Sequence, residues 1–251
     1  MTPRDATAAR GRRRLALLPD AGVARSVDAA LDAHCAALAD CRRCGHADAL
    51  PILTEARGTR VMLVGQAPGK TEVVDRKPFA GRAGKTLFRW LAQAGLDEAR
   101  VRERVYISAM TRCYPGPSPS GRGDRVPSPR ERALCASWLE GELALIRPRL
   151  LIPVGRLAID RFLGPAPLEQ LVGAAHRVTH EGGESLAIPL PHPSGASSWV
   201  HEAGHRALLE RALTLLNGAL RDAGALDGVA TADGDDADDA SDAADGARSV
   251  A

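Results

Sequence analysis

The chain has 251 residues and a mass of 26.4 kDa, and 45% of its side chains are apolar, which is enough for a substantial hydrophobic core. Its longest apolar runs, such as residues 150–154, are far too short to cross a membrane. The N-terminal segment is basic and carries no convincing signal-peptidase site. We therefore expect a cytoplasmic protein, and neither a membrane protein nor a secreted one.

The formal charge of +2 conceals an uneven distribution along the chain. The last 30 residues, from Asp222 onward, contain nine aspartates and one arginine, which leaves 32 basic and 22 acidic residues before them. A strongly positive body is typical of proteins that bind polyanions. Composition bias explains the charge equally well, because 30 of the 33 basic residues are arginine.

The predicted elements begin after a flexible basic arm at residues 1–24. Helices are predicted at residues 26–40, 85–94, 129–146, 155–163 and 197–221, and strands at residues 60–64, 105–110, 150–154 and 185–190. Ser26 can cap the first helix, and Ser128 and Glu131 form a capping box at the start of the third, with Pro129 at its first position.

The alternation of strands and helices determines the predicted fold class. Each strand is a nearly unbroken apolar run, which is typical of strands buried on both faces. We predict an α/β domain over residues 25–221, with a mostly parallel central sheet flanked by helices on both faces. Chemistry in such sheets lies in the loops beyond the carboxyl ends of the strands. Residues 222–251 are too poor in apolar side chains to fold, and we expect a disordered tail.

Five cysteines form an odd set, so a disulfide framework is not expected in a reducing compartment. Cys41 and Cys44 have the C-x-x-C spacing, and Cys113 and Cys135 can reach the same place. Four thiolates suit zinc or a [4Fe–4S] cluster. Alternatively, Cys41 and Cys44 are a redox pair and the other two are ordinary buried cysteines. Cys35 lies on the apolar face of the first predicted helix and is assigned to the core.

The glycine-rich segment after the first strand resembles a phosphate-binding loop but fails its spacing. Such a loop has four residues between its glycines, whereas only three separate Gly65 from Gly69 here. Pro68 also removes one of the amide donors that would hold a phosphate. The sequence therefore does not favour nucleotide binding.

Three motifs carry a resemblance to a known family. Residues 65–69 read Gly-Gln-Ala-Pro-Gly, and residues 78–84 read Pro-Phe-Ala-Gly-Arg-Ala-Gly before a predicted helix. The strand in residues 105–115 ends in a basic residue, a cysteine and, after one tyrosine, a proline. His-Pro-Ser-Gly at residues 192–195 follows the last predicted strand. Over roughly residues 30–215 the chain resembles the family 4, iron–sulfur, uracil-DNA glycosylases.

This resemblance implies an activity, a cofactor and a partner. The activity is a DNA glycosylase of base-excision repair, which hydrolyses the N-glycosidic bond of uracil, or of a related deaminated base, in DNA. The implied cofactor is a structural [4Fe–4S] cluster held by Cys41, Cys44, Cys113 and Cys135. The implied partner is DNA containing such a base, and we expect the protein to be a monomer.

The resemblance also assigns roles around the extruded base. Phe79 is expected to stack on the base, and the alternative is a core aromatic beneath the loop. His192 is expected to donate a hydrogen bond to a uracil carbonyl oxygen as negative charge develops there, rather than to form a surface turn. Gln66 is expected to orient the attacking water or the base. The residues implied to bind the base are Gly65, Gln66, Ala67, Phe79, Ser108, Ala109 and His192.

Contacts to the DNA backbone are expected from four residues. Ser194 and Gly195 would approach a phosphate through a hydroxyl and an amide. Arg82 and Lys85 lie near a predicted helix start and are candidate phosphate contacts, or else solvated surface charges. Residues 196–199 are candidates to fill the minor groove or the space that the base leaves.

Two positions depart from the family pattern. Gln66 stands where family members carry Glu, and an amide can neither act as a base nor offset a cationic sugar. Ala109 aligns with the superfamily's uracil-reading Asn. These departures suggest an alternative function, a non-catalytic or very weak lesion-binding module on a glycosylase fold. Glu72 and Asp75 are the nearby residues that can supply a carboxylate.

The segment 116–127 is a further departure, because it lengthens the loop between the third and fourth cluster cysteines. It is rich in Pro, Gly and Ser and contains Arg122, Asp124 and Arg125. We predict either an insert that contacts DNA or a plain surface extension.

Overall fold

Five strands form one sheet at the centre of the structure, a computed structural model that describes residues 21–45, 50–120, 123–194 and 199–227. The order across the sheet is β2-β1-β3-β5-β4, in which β4 runs antiparallel to β5 and the other neighbouring pairs are parallel. The mostly parallel sheet predicted from the sequence is therefore confirmed. The strands are β1 (Val61–Gly65), β2 (Tyr106–Ala109), β3 (Leu150–Pro153), β4 (His176–His180) and β5 (Gly183–Ala187).

Helices cover both faces of the sheet, as predicted. The α-helices in the described residues are α1 (Ala21–Ala39), α2 (Lys70–Asp75), α3 (Arg82–Gln93), α4 (Glu98–Arg104), α5 (Pro129–Ile146), α6 (Arg156–Leu163), α7 (Leu168–Leu171) and α8 (Ala203–Asp222). Helix α5 begins with the predicted capping box, in which the Ser128 hydroxyl accepts from the Glu131 amide at 3.2 Å. Among the described helices, none is both long and apolar enough to span a bilayer.

The side chains of β1 alternate between two hydrophobic layers. Met62 and Val64 face a layer that contains buried side chains of α1, α5 and α6. Val61 and Leu63 face the opposite layer, which contains buried side chains of α3, α4 and α8. A strand that is buried on both faces cannot alternate with polar residues, which explains its unbroken apolar sequence.

The folded part extends beyond both predicted limits. Helix α1 begins at Ala21, so Ser26 lies inside it and residues 21–24 are helical rather than part of an arm. Beyond α8, Leu226 is buried against the layer formed by α3, α4 and α8, and Arg104 Nη1 donates to the Asp227 carbonyl at 2.7 Å. Leu226 supplies an apolar anchor that the acidic composition concealed. Residues 1–20 and 228–251 of the predicted arm and tail lie outside the described residues.

Several short elements were absent from the predictions. Strand β4 is an edge strand with a single buried side chain, Val178, so its sequence lacks the apolar run that marks the central strands. Helices α2, α4 and α7 span only four to seven residues each, too few to show a helical period. Helix α8 begins at Ala203, later than predicted, and a 3-10 turn at Trp199–His201 precedes it.

The sheet places three loop-bearing strand ends side by side. Strands β2, β1 and β3 are parallel neighbours, and the register pairs Gly65 with Ala109 and Val64 with Pro153. The carboxyl ends of these strands therefore lie at one edge of the sheet. From β1 the chain continues to β2 on one side, and from β2 it crosses to β3 on the other side of β1. This reversal of strand order is the arrangement that opens a ligand crevice.

Candidate functional site

A small pocket lies at the carboxyl ends of β1 and β2. Its lining contains Gly65, Ala67, Phe79, Ser108 and Ala109, five of the seven residues that the sequence implied as base-binding. Ile52 adds an apolar side chain to the wall, and Arg112 adds a charged one. The structure thus brings the first and second motifs together around one cavity.

Phe79 forms one wall of this pocket in a strained backbone conformation. Its φ angle is +53°, a left-handed value that is unusual for an aromatic residue. A β-carbon on Gly65 would lie 2.8 Å from the Phe79 ring, and one on Gly84 would overlap the Phe79 carbonyl oxygen. Both glycines are therefore required for the aromatic ring to occupy this position.

A wider groove adjoins the pocket and shares Ala67 and Phe79 with it. Gln66 and His192, the two predicted catalytic residues, line this groove rather than the pocket itself. Ser194 and Arg82 also line it. The first and last motifs therefore meet in one groove next to the pocket.

The hydrogen bonds of His192 define which ring nitrogen carries the proton. Its Nδ1 accepts from the Ser194 amide at 3.3 Å and lies 2.9 Å from the Ser194 hydroxyl oxygen. Because Nδ1 is an acceptor, the proton of the neutral ring lies on Nε2. Burial lowers the pKa of His192 below its ordinary value, which favours this neutral form. His192 is thus prepared to donate one hydrogen bond through Nε2.

A buried polar network occupies the floor between β2 and α5. Arg112 and Glu142 form an ion pair of 2.8 Å, with exposed side-chain fractions of 2% and 0%. Tyr106 donates to the Glu142 carboxylate at 2.8 Å. Ser108 donates to the same carboxylate and accepts from Arg112 at 2.6 Å. The hydroxyl of Ser108, predicted to contact the base, is therefore occupied by protein partners.

Glu72, one of the two nearby carboxylates named from the sequence, fixes the first-motif loop. It is buried, and its two oxygens accept from the amides of Gly69 at 2.9 Å and Gly81 at 3.0 Å. Asp75, the other candidate, is exposed at the end of α2 and lines neither the pocket nor the groove. The amide hydrogen bonds assign Glu72 a structural task.

The predicted loop at residues 116–127 is a small hairpin where the structure describes it. The Ser118 amide donates to the Gly123 carbonyl at 2.9 Å, and the Arg125 amide donates to Gly116 at 3.0 Å. The Arg125 guanidinium pairs with Glu131 at the start of α5. Residues 121 and 122, and with them the candidate Arg122, lie outside the described residues.

Four cysteines line a second cavity on the other side of Arg112. Cys41, Cys44, Cys113 and Cys135 contribute to its wall together with Arg112. Burial raises the pKa of Cys113 to about 12 and that of Cys135 to about 11, and the neighbouring thiols contribute to the rise. The indole Nε1 of a tryptophan on α5 donates to Cys41 Sγ at 3.3 Å.

The arrangement of these thiols fits a cluster of several metal ions better than a site for one metal ion. No three His, Cys, Asp or Glu side chains among the described residues are grouped to hold one metal ion. A four-iron cluster does not need that grouping, because each thiolate binds a different iron. Cys35 lies outside the cavity and is 5% exposed in the core, as predicted, with Sγ 3.5 Å from the Tyr106 hydroxyl.

Comparison with known proteins identifies the family. A family model described as the uracil DNA glycosylase superfamily matches residues 52–216 of the chain. The chain belongs to the uracil-DNA glycosylase superfamily. Type-4 uracil-DNA glycosylases of Thermotoga maritima and Archaeoglobus fulgidus are 31% and 32% identical to it over 136 and 139 residues. The predicted resemblance to family 4 is thereby confirmed.

The alignments cover only part of each protein. Those with the two Type-4 enzymes span 54% and 53% of this chain and 65% of each relative, slightly less than two thirds of their length. A Type-5 uracil-DNA glycosylase of Thermus thermophilus is 34% identical over 145 residues, or 53% of this chain and 59% of that enzyme.

The predicted DNA contacts of this superfamily member are only partly described. Arg82 and Lys85 are exposed at the start of α3, and Arg82 lines the groove. Gly195 lies outside the described residues, as do residues 196–198. Trp199, a candidate for the minor groove, is stacked on His205 with the ring centroids 4.2 Å apart and packs against the core.

Sequence reasoning missed the glycosylase fold's most buried charges. Arg112 was noted only as a basic residue before a cysteine, and Glu142 was not singled out. The two are 30 positions apart, so no local spacing pairs them. A charged residue inside the apolar face of a predicted helix, as Glu142 is in α5, was the available signal.

We expect Glu142→Gln to lower the free energy of unfolding by about 3–5 kcal/mol, because it leaves the buried Arg112 charge without its partner. Urea unfolding followed by circular dichroism measures the loss. The matched control is Asp160→Asn, which removes a partly exposed pair with Arg156 and should cost less than about 1 kcal/mol. Equal effects of the two substitutions would show that the buried pair does not stabilise the fold.

Proposed function

We propose that this protein is a DNA glycosylase of base-excision repair, which hydrolyses the N-glycosidic bond of uracil or a related deaminated base in DNA. The observation that carries the proposal is the state of His192, a half-buried neutral imidazole whose Nδ1 is engaged by Ser194. His192 lines the groove that adjoins the Phe79 pocket. A donor held in advance is what a departing base anion requires.

We assign the steps of the reaction to three side chains. The extruded base enters the pocket and stacks on Phe79, whose ring is held by the close approach of Gly65. As the bond between the sugar and the base breaks, its electron pair moves onto the base, and His192 Nε2–H donates to the carbonyl oxygen where charge accumulates. Gln66 lines the groove and orients the water that attacks the sugar carbon.

The identity of the base depends on an unusual pocket wall. Ala109 presents a methyl group where the family pattern has an amide, and the Ser108 hydroxyl and Arg112 guanidinium are engaged with Glu142. We propose that base selection uses backbone groups and pocket shape, which discriminate less sharply than a paired side-chain amide. Uracil and other deaminated bases are therefore the substrates to compare.

The four cysteines of the second cavity would hold a [4Fe–4S] cluster. When bound, such a cluster would join the end of α1, through Cys41 and Cys44, to Cys113 after β2 and Cys135 in α5. Its role in this proposal is structural. The raised pKa values of Cys113 and Cys135 keep the free thiols protonated, whereas iron binds them as thiolates.

The remaining proposals concern the surroundings of the domain. Arg82 and Lys85 at the start of α3, together with Ser194 and Gly195, would contact DNA phosphates. We propose a monomer in the cytoplasm. The glycosylase-like domain would cover residues 25–221 and the short packed segment that follows it, between a basic arm and an acidic tail.

A second candidate function has its own supporting observation. Gln66 supplies no carboxylate, and no side-chain amide replaces Asn at Ala109, so the protein can instead hold lesions without turnover. Base release from oligonucleotides carrying uracil, hypoxanthine or xanthine separates the two functions. Release of any base supports the enzyme, whereas tight lesion binding without release supports the binding module.

For the enzyme, we expect His192→Ala to reduce the single-turnover rate of base release by about 10²–10⁴-fold, because the anion loses its preorganised donor. The dissociation constant for lesion DNA should change little, since His192 contacts the base and not the backbone. Quenched-flow release and fluorescence anisotropy measure the two quantities. His201→Ala, at a partner-free exposed position among the described residues, is the control and should behave as wild type.

Unchanged turnover in His192→Ala would remove His192 from the mechanism. Loss of DNA affinity in parallel with turnover would instead indicate that the ring supports the groove rather than the leaving base.

For the cluster, we expect Cys113→Ser to abolish the broad visible absorption of iron–sulfur charge transfer and to lower the iron content of anaerobically purified protein. Cys35→Ser removes a buried thiol outside the cavity and should retain both. Absorption spectroscopy and iron analysis decide the outcome. A wild-type protein that contains zinc and no visible absorption would contradict the cluster assignment.

A further inference from the structure

We propose that Asp124 supplies the carboxylate that Gln66 lacks, and that it takes a proton from the attacking water. This inference rests on the proposed glycosylase function. It assigns a catalytic role to the described part of the hairpin, residues 116–120 and 123–125, which the superfamily resemblance does not explain. The general base of the reaction, which accepts the proton of the water, would then lie in a neighbouring loop and not in the first motif.

The groove contains few acidic groups that can serve. Among its described lining residues the carboxylates are Glu72 and Asp124. Both oxygens of Glu72 accept from backbone amides, of Gly69 and Gly81, and the residue is 8% exposed. Proton transfer to Glu72 would weaken the hydrogen bonds that fix the first-motif loop. Asp124 is exposed to the solvent from which the water comes.

The position of Asp124 is set by its contact with the first motif. Its Oδ2 lies 2.6 Å from the place where a β-carbon would stand on Gly69, so the carboxylate rests directly against the backbone of that loop. Only a residue without a side chain permits this approach. Gln66 lies three residues before Gly69, and it lines the same groove as Asp124 and His192.

Two anchors hold the backbone of Asp124 there. Asp124 forms an antiparallel β-bridge with Pro117 across the hairpin. The next residue, Arg125, donates its amide to Gly116 and pairs through its guanidinium with Glu131. An exposed aspartate is ordinarily free to change rotamer, whereas here the backbone is held in the hairpin and the carboxylate lies against Gly69.

The chemical step balances with water as the only co-reactant. The water oxygen forms a bond to the sugar C1′ while the bond from C1′ to the base nitrogen breaks. One water proton passes to the Asp124 carboxylate, and the electron pair of the broken bond leaves with the base. His192 Nε2–H stabilises the charge on the base, and the negative Asp124 also offsets positive charge on the sugar.

The test compares Asp124→Asn with wild-type protein in single-turnover base release and in binding of lesion DNA. We expect release to fall by at least about 100-fold while the dissociation constant stays within about twofold, because the amide keeps the shape but accepts no proton. Asp124→Glu keeps a carboxylate and should remain within about tenfold of wild type. Asp222→Asn, the same change at an exposed position at the end of α8, is the control and should match wild type.

A rescue experiment separates catalysis from support of the hairpin. Adding Gln66→Glu to Asp124→Asn returns a carboxylate to the groove. We expect the double variant to release the base at least about tenfold faster than Asp124→Asn alone. A purely structural Asp124 would leave the double variant as slow as the single one. The thermal midpoint of each variant, followed by circular dichroism, identifies any variant that fails to fold. If Asp124→Asn is such a variant, the comparison of wild type with Asp124→Glu and with the double variant provides the test.

Three results would overturn the inference: release by Asp124→Asn within about threefold of wild type, a parallel loss in Asp124→Glu, or no rescue by Gln66→Glu. A wild-type protein that releases none of the tested bases would overturn the proposed function instead. The two failures are therefore distinguishable.

Discussion

The buried ion pair between Arg112 and Glu142 is the interaction on which the site depends. Arg112 lines both the Phe79 pocket and the cysteine cavity, and it also donates to the Ile52 carbonyl at 2.9 Å. Neither charge can be buried alone without a cost of several kcal/mol, so β2, α5 and the segment before β1 must come together as one unit. The same pair fixes Ser108 at the end of β2. The ion pair therefore supports both the floor of the pocket and the wall of the cysteine cavity, because Arg112 belongs to each of them.

The sequence predicted best what short-range pattern encodes. Unbroken apolar runs identified β1, β2 and β3, and Ser128 with Glu131 marked the start of α5 to the residue. The motifs grouped Gly65, Phe79 and Ala109, which line one cavity, only with the help of a family resemblance, since nothing local relates positions so far apart. The acidic residues were harder still. Spacing cannot distinguish Glu72, which accepts two amide hydrogen bonds, from Asp124, because both are simply acids near a glycine-rich loop.

The polar groups near the pocket are largely occupied before any ligand arrives. Glu72 serves two amides, Ser108 serves Glu142 and Arg112, and the Nδ1 of His192 serves Ser194. Each commitment fixes a side chain and also removes it from direct recognition. What remains for chemistry is a small set of unpaired positions, of which His192 Nε2 is the best defined. This division explains how a site can have two substituted motif positions and still retain a complete hydrogen-bonded frame.

Phe79 gives this frame a thermodynamic consequence. Its left-handed backbone, the two glycines pressed against it and the carboxylate that ties Gly69 to Gly81 leave the ring little room to rearrange. The entropy of ordering that wall is lost when the chain folds, not when a base enters. A base that stacks there meets a surface already in place, so its residence is governed by what it gains from stacking and not by a closing motion of the protein. In the function proposed here, such a pocket would select among bases at entry, by the shape that each base presents.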